Sequence, residues 1–235
     1  RLRTMGIDAV GYDPFVAASD MPQMPLTEIL RRDVVCLHLP LTQTGDHPTR
    51  HLLNAGRLAL LRPGALLLNA GRGATIDNAA LLDRAADLRV VLDVWEHEPH
   101  ISLPLLQQVR IGTPHIAGYS LDGKLAGTRM LLEACCRFLQ RPIPDCADSL
   151  KDIPLTLTEC GVAALREALL GLYDPCRDDA ALRAAAVDGD VAAGFDRLRK
   201  RYPVRREISA ARVLKAGGFD AATRGLLAAA GFRLD

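Results

Sequence analysis

Over the first 120 residues the hydrophobic positions gather in short runs rather than in helical stripes. The runs DAVGYD (8–13), DVVCLHLP (33–40), GALLLNAG (64–71), RVVLDVW (89–95) and VRIGTPH (109–115) read as β-strands. Several are apolar at nearly every position, the pattern of strands covered on both faces of a parallel sheet. Between them, NAGRLALLRPG reads as a helix ended by Pro63-Gly64, and IDNAALLDRAAD as a helix N-capped by Asp77. Strand and helix alternate, which predicts a doubly wound α/β domain with a parallel sheet. In such sheets a ligand binds beyond the carboxyl ends of the strands.

After residue 120 the periodicity lengthens into one helical stretch, LDGKLAGTRMLLEACCRFLQ, followed by RPIPDCADS (141–149), whose two prolines and small polar residues mark a domain boundary. The remainder is rich in Ala and Leu. It carries a predicted strand at IPLTLTE, helices around 162–172 and 179–200, and a strand at PVRREIS, a small α+β module.

Composition changes this picture little. The 235 residues are 49% hydrophobic and 24% charged, enough for a sizeable core in one large or two small domains. A net charge of +1 offers no basic field for nucleic acid. No apolar run reaches the ~20 residues of a membrane helix, and the first residues do not read as a signal peptide. The expectation is a cytoplasmic protein. Cysteines at 36, 135, 136, 146, 160 and 176 show no C-x-x-C spacing, so they read as reduced, buried small hydrophobes without a metal.

The chemistry lies where the predicted strands end. Asp13 stands where an acid accepts hydrogen bonds from an adenosine ribose and repels a 2′-phosphate, or is simply a turn aspartate before Pro14. The HLPLT turn (38–42) could lie against a cofactor, or be a plain strand-to-loop transition. In NAGRG (69–73) the glycines let backbone approach a ligand, and Arg72 suits a carboxylate bidentately; alone it would read as a surface arginine. LDVWEHEP offers Asp93, Glu96 and Glu98, one of which could orient a histidine, and His115 ends the last strand. His38, His47, His51, His97 and His100 read as loop or surface residues.

An arginine, an acid and a histidine at the ends of successive parallel strands converge on one edge. With HLPLT, LLNAGRGATID, LDVWEHEP and TPHIAGYS in that order, the chain resembles the D-isomer-specific 2-hydroxyacid dehydrogenases. The resemblance implies a partial Rossmann-type sheet, NAD as cofactor, and a phosphorylated 2-hydroxy acid as substrate. It makes His115 the acid/base, Glu98 its partner and Arg72 the substrate clamp. It puts Asp13, Leu39, Ala70, Gly71, Arg72, Asp93 and Gly118 beside the cofactor, and Tyr119 beside the substrate with Lys124 near it.

The implied domains are an NAD-binding domain at 1–118, a connecting helix at 119–145 and a dimerisation domain at 146–235, giving a homodimer. No G-x-G-x-x-G occurs. The expectation is therefore that the first strand, its glycine-rich loop and the substrate domain are missing, and that these residues alone are inactive. Competing expectations are another dehydrogenase of this family whose tail is a regulatory βαββαβ module, and a non-enzymatic NAD-sensing interaction protein.

Overall fold

The computed structural model describes residues 1–16, 20–145, 150–187 and 189–235; Cys146 lies outside them. The elements are, in chain order, α1 (Leu26–Ile29), β1 (Val34–Leu37), α2 (Ala55–Leu58), β2 (Leu66–Asn69), α3 (Asn78–Leu82), β3 (Arg89–Leu92), α4 (Leu103–Gln108), β4 (Ile111–Gly112), α5 (Leu121–Phe138), β5 (Ile153–Leu155), α6 (Gly161–Leu172), α7 (Pro175–Val187), α8 (Val191–Lys200), β6 (Ala211–Val213), α9 (Ala221–Ala230) and β7 (Arg233–Leu234). They form two compact units. One joins Ala9–Ala117 to Pro175–Tyr202, and the other joins Arg1–Asp8, Gly118–Asp174 and Pro203–Asp235. The division differs from the sequence-read boundaries, because residues 175–202 pack with the sheet that precedes them.

The larger unit carries the parallel sheet β1-β2-β3-β4, in register Val34↔Leu66 and Leu66↔Arg89. All four strands therefore point their carboxyl ends to one edge. Helix starts are set by local side chains: Asn54 accepts from the Arg57 N–H, Asp77 from Ala79 and Ala80, and Ser102 from Leu105. Buried Val35, Leu37, Leu67, Val90 and Leu92 form the core with Leu58, Leu81 and Leu105. Val34, by contrast, is 54% exposed and Cys36 is exposed, so β1 buries alternate positions rather than both faces.

Several sequence expectations change here. Residues 8–13 make no strand, only an isolated bridge between Gly11 and Gln23, because no described strand lies alongside to complete a ladder. The helix expected at 179–200 is two, α7 and α8, broken near Gly189 (φ 94°) and restarted by Asp190, which accepts from the Ala193 N–H. Among the described cysteines there is no disulfide, but only Cys136 is buried; 36, 135, 160 and 176 are exposed.

The smaller unit has the parallel sheet β5-β6-β7 and a core of Leu165, Ala168, Val213, Leu227 and Phe232. Its second strand lies at 211–213 instead of in PVRREIS. Arg205 and Arg206 are drawn off to the start of α5: the Leu121 N–H donates to the Arg205 carbonyl, and Arg206 donates from Nε (2.9 Å to Oδ2) and Nη2 (3.0 Å to Oδ1) to the Asp122 carboxylate. Helix α9, unassigned in the sequence reading, is capped by Asp220 and ended by Gly231 at φ 107°. Among the described residues no helix is long and apolar enough to cross a membrane.

The Asp122–Arg206 pair yields a stability prediction. Burial acts to raise the Asp122 carboxyl, but the Arg206 hydrogen bond, the Glu207 N–H and the Arg206 charge outweigh it and hold Asp122 below its ordinary value. A depressed carboxyl stabilises the fold above its unfolded value of about 4, and that contribution disappears as pH falls through the folded value. Asp122→Asn should therefore cost ~1–3 kcal/mol at pH 7 and converge with wild type in strong acid. Calorimetric melting at both pH values checks this; equal Tm at pH 7 would refute it.

Candidate active site at the carboxyl edge of the sheet

Strand β2 delivers the loop of Arg72. The buried Asn69 side chain shapes it: Oδ1 accepts from the Gly71 N–H (3.1 Å), and Nδ2 donates to the Arg72 carbonyl (3.1 Å), which also accepts from the Thr75 hydroxyl (2.6 Å). Two glycines let this loop seat. A Cβ on Gly71 would lie 2.7 Å from the Leu39 nitrogen, and one on Gly73 would lie 2.0 Å from the Trp95 carbonyl carbon. The first contact sets Gly71 against the Leu39 backbone. The second presses the Arg72 loop onto the loop that carries Glu98. Gly73→Ala should cost ~1–3 kcal/mol through forced backbone movement and lower activity with it. Denaturant unfolding checks this, and an unchanged midpoint would show that the loop can yield.

Arg72 itself is exposed. Its Nη1 donates to the Gly71 carbonyl at 2.8 Å, and among the described residues no acid lies within ion-pair distance. The guanidinium thus keeps most of its donors for an incoming carboxylate.

Strands β3 and β4 deliver the acid and the histidine. His115 Nδ1 lies 2.7 Å from Glu98 Oε2, while Glu98 Oε1 accepts from the Trp95 N–H at 2.7 Å. With Glu98 ionised as an acceptor, Nδ1 carries the ring proton and Nε2 keeps its lone pair for a substrate proton. His115 has a φ of 55°, in the left-handed region that costs a non-glycine residue energy. Asp93 holds it there. The His115 N–H donates to the Asp93 carbonyl (2.7 Å), and the Asp93 carboxylate accepts from the Thr113 hydroxyl (2.6 Å), the Ile116 N–H (2.8 Å) and the Ala117 N–H (2.9 Å). Asp93 is thus first an organiser of residues 113–117, with Oδ2 accepting from the Ala117 N–H. These demands end β4 after two residues, short of the 109–115 expected from sequence.

The other sequence-predicted residues are placed differently. Asp13 accepts from the Phe15 N–H at 3.0 Å, closing a turn that contains Pro14, and its side chain is exposed. Gly118 and Tyr119 belong to the smaller unit, where the Lys124 ammonium lies 4.4 Å from the Tyr119 ring centroid.

The sequence reading missed His51. The sequence reads it as a loop or surface residue, and it does sit in a turn, yet its Nε2 lies 2.7 Å from Glu96 Oε1; Glu96 Oε2 accepts from the Asn78 N–H, and the Glu96 N–H donates to Asn78 Oδ1. The His51 N–H also donates to the Ala74 carbonyl. The group therefore clamps the Arg72 and Glu98 loops together. His51, Asp77 and Glu96 bring possible metal-ligand atoms within 4.8 Å of one another. Those atoms are largely committed already, to the imidazole–carboxylate bond, the α3 cap and Asn78. His51 and Glu96 are 45 residues apart, and no local pattern links them.

Residues 1–117 match the family model described as D-isomer specific 2-hydroxyacid dehydrogenase, NAD binding domain, and residues 151–230 match a domain of unknown function, DUF3410. A protein of Cellvibrio japonicus (strain Ueda107) named erythronate-4-phosphate dehydrogenase is 45% identical across 99% of this chain and 65% of its own length. One of the same name from Pseudomonas syringae pv. syringae (strain B728a) is 44% identical across 94% of this chain and 61% of its own. Among solved structures, the holo form of Rhodotorula graminis D-mandelate dehydrogenase superposes with a TM-score of 0.52 at 27% identity, covering 63% of this chain and 46% of that one. The chain thus spans less than two thirds of the length of these relatives.

Proposed function

The chain belongs to the D-isomer-specific 2-hydroxyacid dehydrogenases, and from that premise we propose that the full-length protein oxidises C2 of 4-phospho-D-erythronate with NAD. The product would be 2-oxo-3-hydroxy-4-phosphobutanoate, a step of pyridoxal 5′-phosphate biosynthesis. The observation that carries the catalytic reading is the 2.7 Å contact between His115 Nδ1 and Glu98, at the same sheet edge as the Arg72 guanidinium, which meets no acid among the described residues. The names of the relatives supply the substrate.

The residues present fit a dinucleotide. Gly71 lies against the backbone of Leu39 with no room for a side chain, and we assign the Asp93 carboxylate to the cofactor's carboxamide. NAD, when bound, supplies the acceptor for the hydride leaving C2. Arg72 grips the substrate carboxylate and polarises the C2 oxygen, and His115 Nε2 takes the hydroxyl proton. Glu98 stabilises the imidazolium so formed. We assign Asp13 to the adenosine ribose; Asp13→Ala should narrow the preference for NAD over NADP, and unchanged selectivity would remove it from that role. Gly118 is assigned beside the cofactor, Tyr119 beside the substrate, and Lys124 is a candidate for the substrate phosphate.

The assay is direct. Full-length protein with NAD should turn over 4-phosphoerythronate in preference to D-glycerate and 3-phosphoglycerate. Turnover of those alone would shift the reading to another dehydrogenase of the family, and no turnover of any 2-hydroxy acid would favour the non-enzymatic NAD-sensing reading. We also propose a homodimer built through residues 146–235 in a reducing cytoplasm, in keeping with the lack of a disulfide among the described cysteines. A monomeric mass by light scattering would refute the dimer.

A further inference from the structure

Helices α7 and α8 follow the first strand and helix of the C-terminal module, yet they complete the core of the larger unit. Leu182 and Phe195, both 0% exposed, lie in the same cluster as Val90, Leu92 and Leu105. Two side chains one turn apart on α7 make the polar attachment. Asp179 Oδ1 accepts from the Gly112 N–H at 2.7 Å, and Asp179 Oδ2 accepts from Arg183 Nε at 2.9 Å. Arg183 then donates from Nη1 and Nη2 to the Leu106 (2.7 Å) and Val109 (2.9 Å) carbonyls where α4 ends.

The location of the Gly112 contact gives it meaning. Strand β4 is the edge strand of β1-β2-β3-β4, so among the described residues its outer backbone groups have no strand to pair with. A carboxylate from α7 takes that place. Three residues on is His115, whose backbone is otherwise held from the β3 side through Asp93 and, at Thr113, by the Trp95 ring N–H (3.0 Å).

We infer that Asp179 is a positioning residue, which fixes β4 through the Gly112 N–H and so sets how His115 meets Glu98. Arg183 orients Asp179 by holding its other oxygen. This makes part of the domain of unknown function a working wall of the dehydrogenase site. The inference rests on the reading of His115 and Glu98 as the acid/base pair.

The test uses the full-length protein and two readouts. One is kcat and KM. The other is the proton NMR resonance of the His115 Nδ1–H, which a 2.7 Å bond to Glu98 should move far downfield, assigned by its loss in Glu98→Gln. Asp179→Ala should broaden or shift that resonance and lower kcat about tenfold with little change in KM, since small misplacements of reacting groups are costly. Asp179→Asn keeps an acceptor for Gly112 and should restore most of both. An Asp179→Ala protein with wild-type kcat and an unmoved resonance would overturn the inference. If the alanine variant does not fold, Asp179→Glu decides: it keeps the charge but displaces the oxygen by one methylene, so an unmoved resonance and kcat there would overturn it equally. The resonance is read without turnover, so failure to oxidise a 2-hydroxy acid would count against the proposed reaction alone.

Discussion

His115→Asn in the full-length protein should lower kcat by ~10²-fold or more, the usual contribution of a positioned general acid/base. Asparagine can still reach toward Glu98 and occupy part of the ring's space, so NAD affinity and Tm should change little. What is lost is Nε2, the atom with a free lone pair once Nδ1 is bonded to Glu98 at 2.7 Å. Steady-state kinetics with saturating NAD provide the measurement. A loss below about tenfold would mean that the proton leaves by another route and that His115 is structural.

Arg72→Ala should lower kcat/KM by ~10²–10³-fold, comparable to removing a preorganised donor from a developing oxyanion. In the structure the guanidinium spends one N–H on the Gly71 carbonyl and meets no acid among the described residues. Its remaining donors form the fork that a planar carboxylate fits. Lysine keeps the charge without the fork, so Arg72→Lys should recover only part of the loss. If Arg72→Ala turned over substrate normally, the catalytic reading of the whole constellation would have to be withdrawn. A drop confined to KM would reduce Arg72 to a binding group.

These two experiments probe what the chain order of the motifs made visible. The Asp77 cap, the existence of the strands before Arg72 and before the Glu98 loop, and the order of an arginine, an acid and a histidine at successive strand ends were legible because each depends on signals within a few residues. Asp13 was ambiguous for the same reason. A carboxylate before Pro14 satisfies a turn locally whatever else it does, and the structure uses it in that way. The run at 8–13 was misread because strand propensity does not make a strand: a ladder needs a neighbour.

By itself, then, the sequence determined the short parallel strands, the helix caps and the convergence of Arg72, Glu98 and His115 on one edge, because hydrophobic period and capping act over short distances. Tertiary structure set at 2.7 Å the Glu98–His115 contact that the resemblance had implied, and added a pair that nothing in the sequence suggested, Glu96 with His51, 45 residues away. It gave Asp93 the organising of the His115 turn besides its expected place at the cofactor, and it set α7 against the edge strand through Asp179, 67 residues from Gly112. Such contacts leave no periodic trace. A buried N–H or carboxylate must find a partner wherever the folded chain happens to bring one, and only the packed geometry selects it.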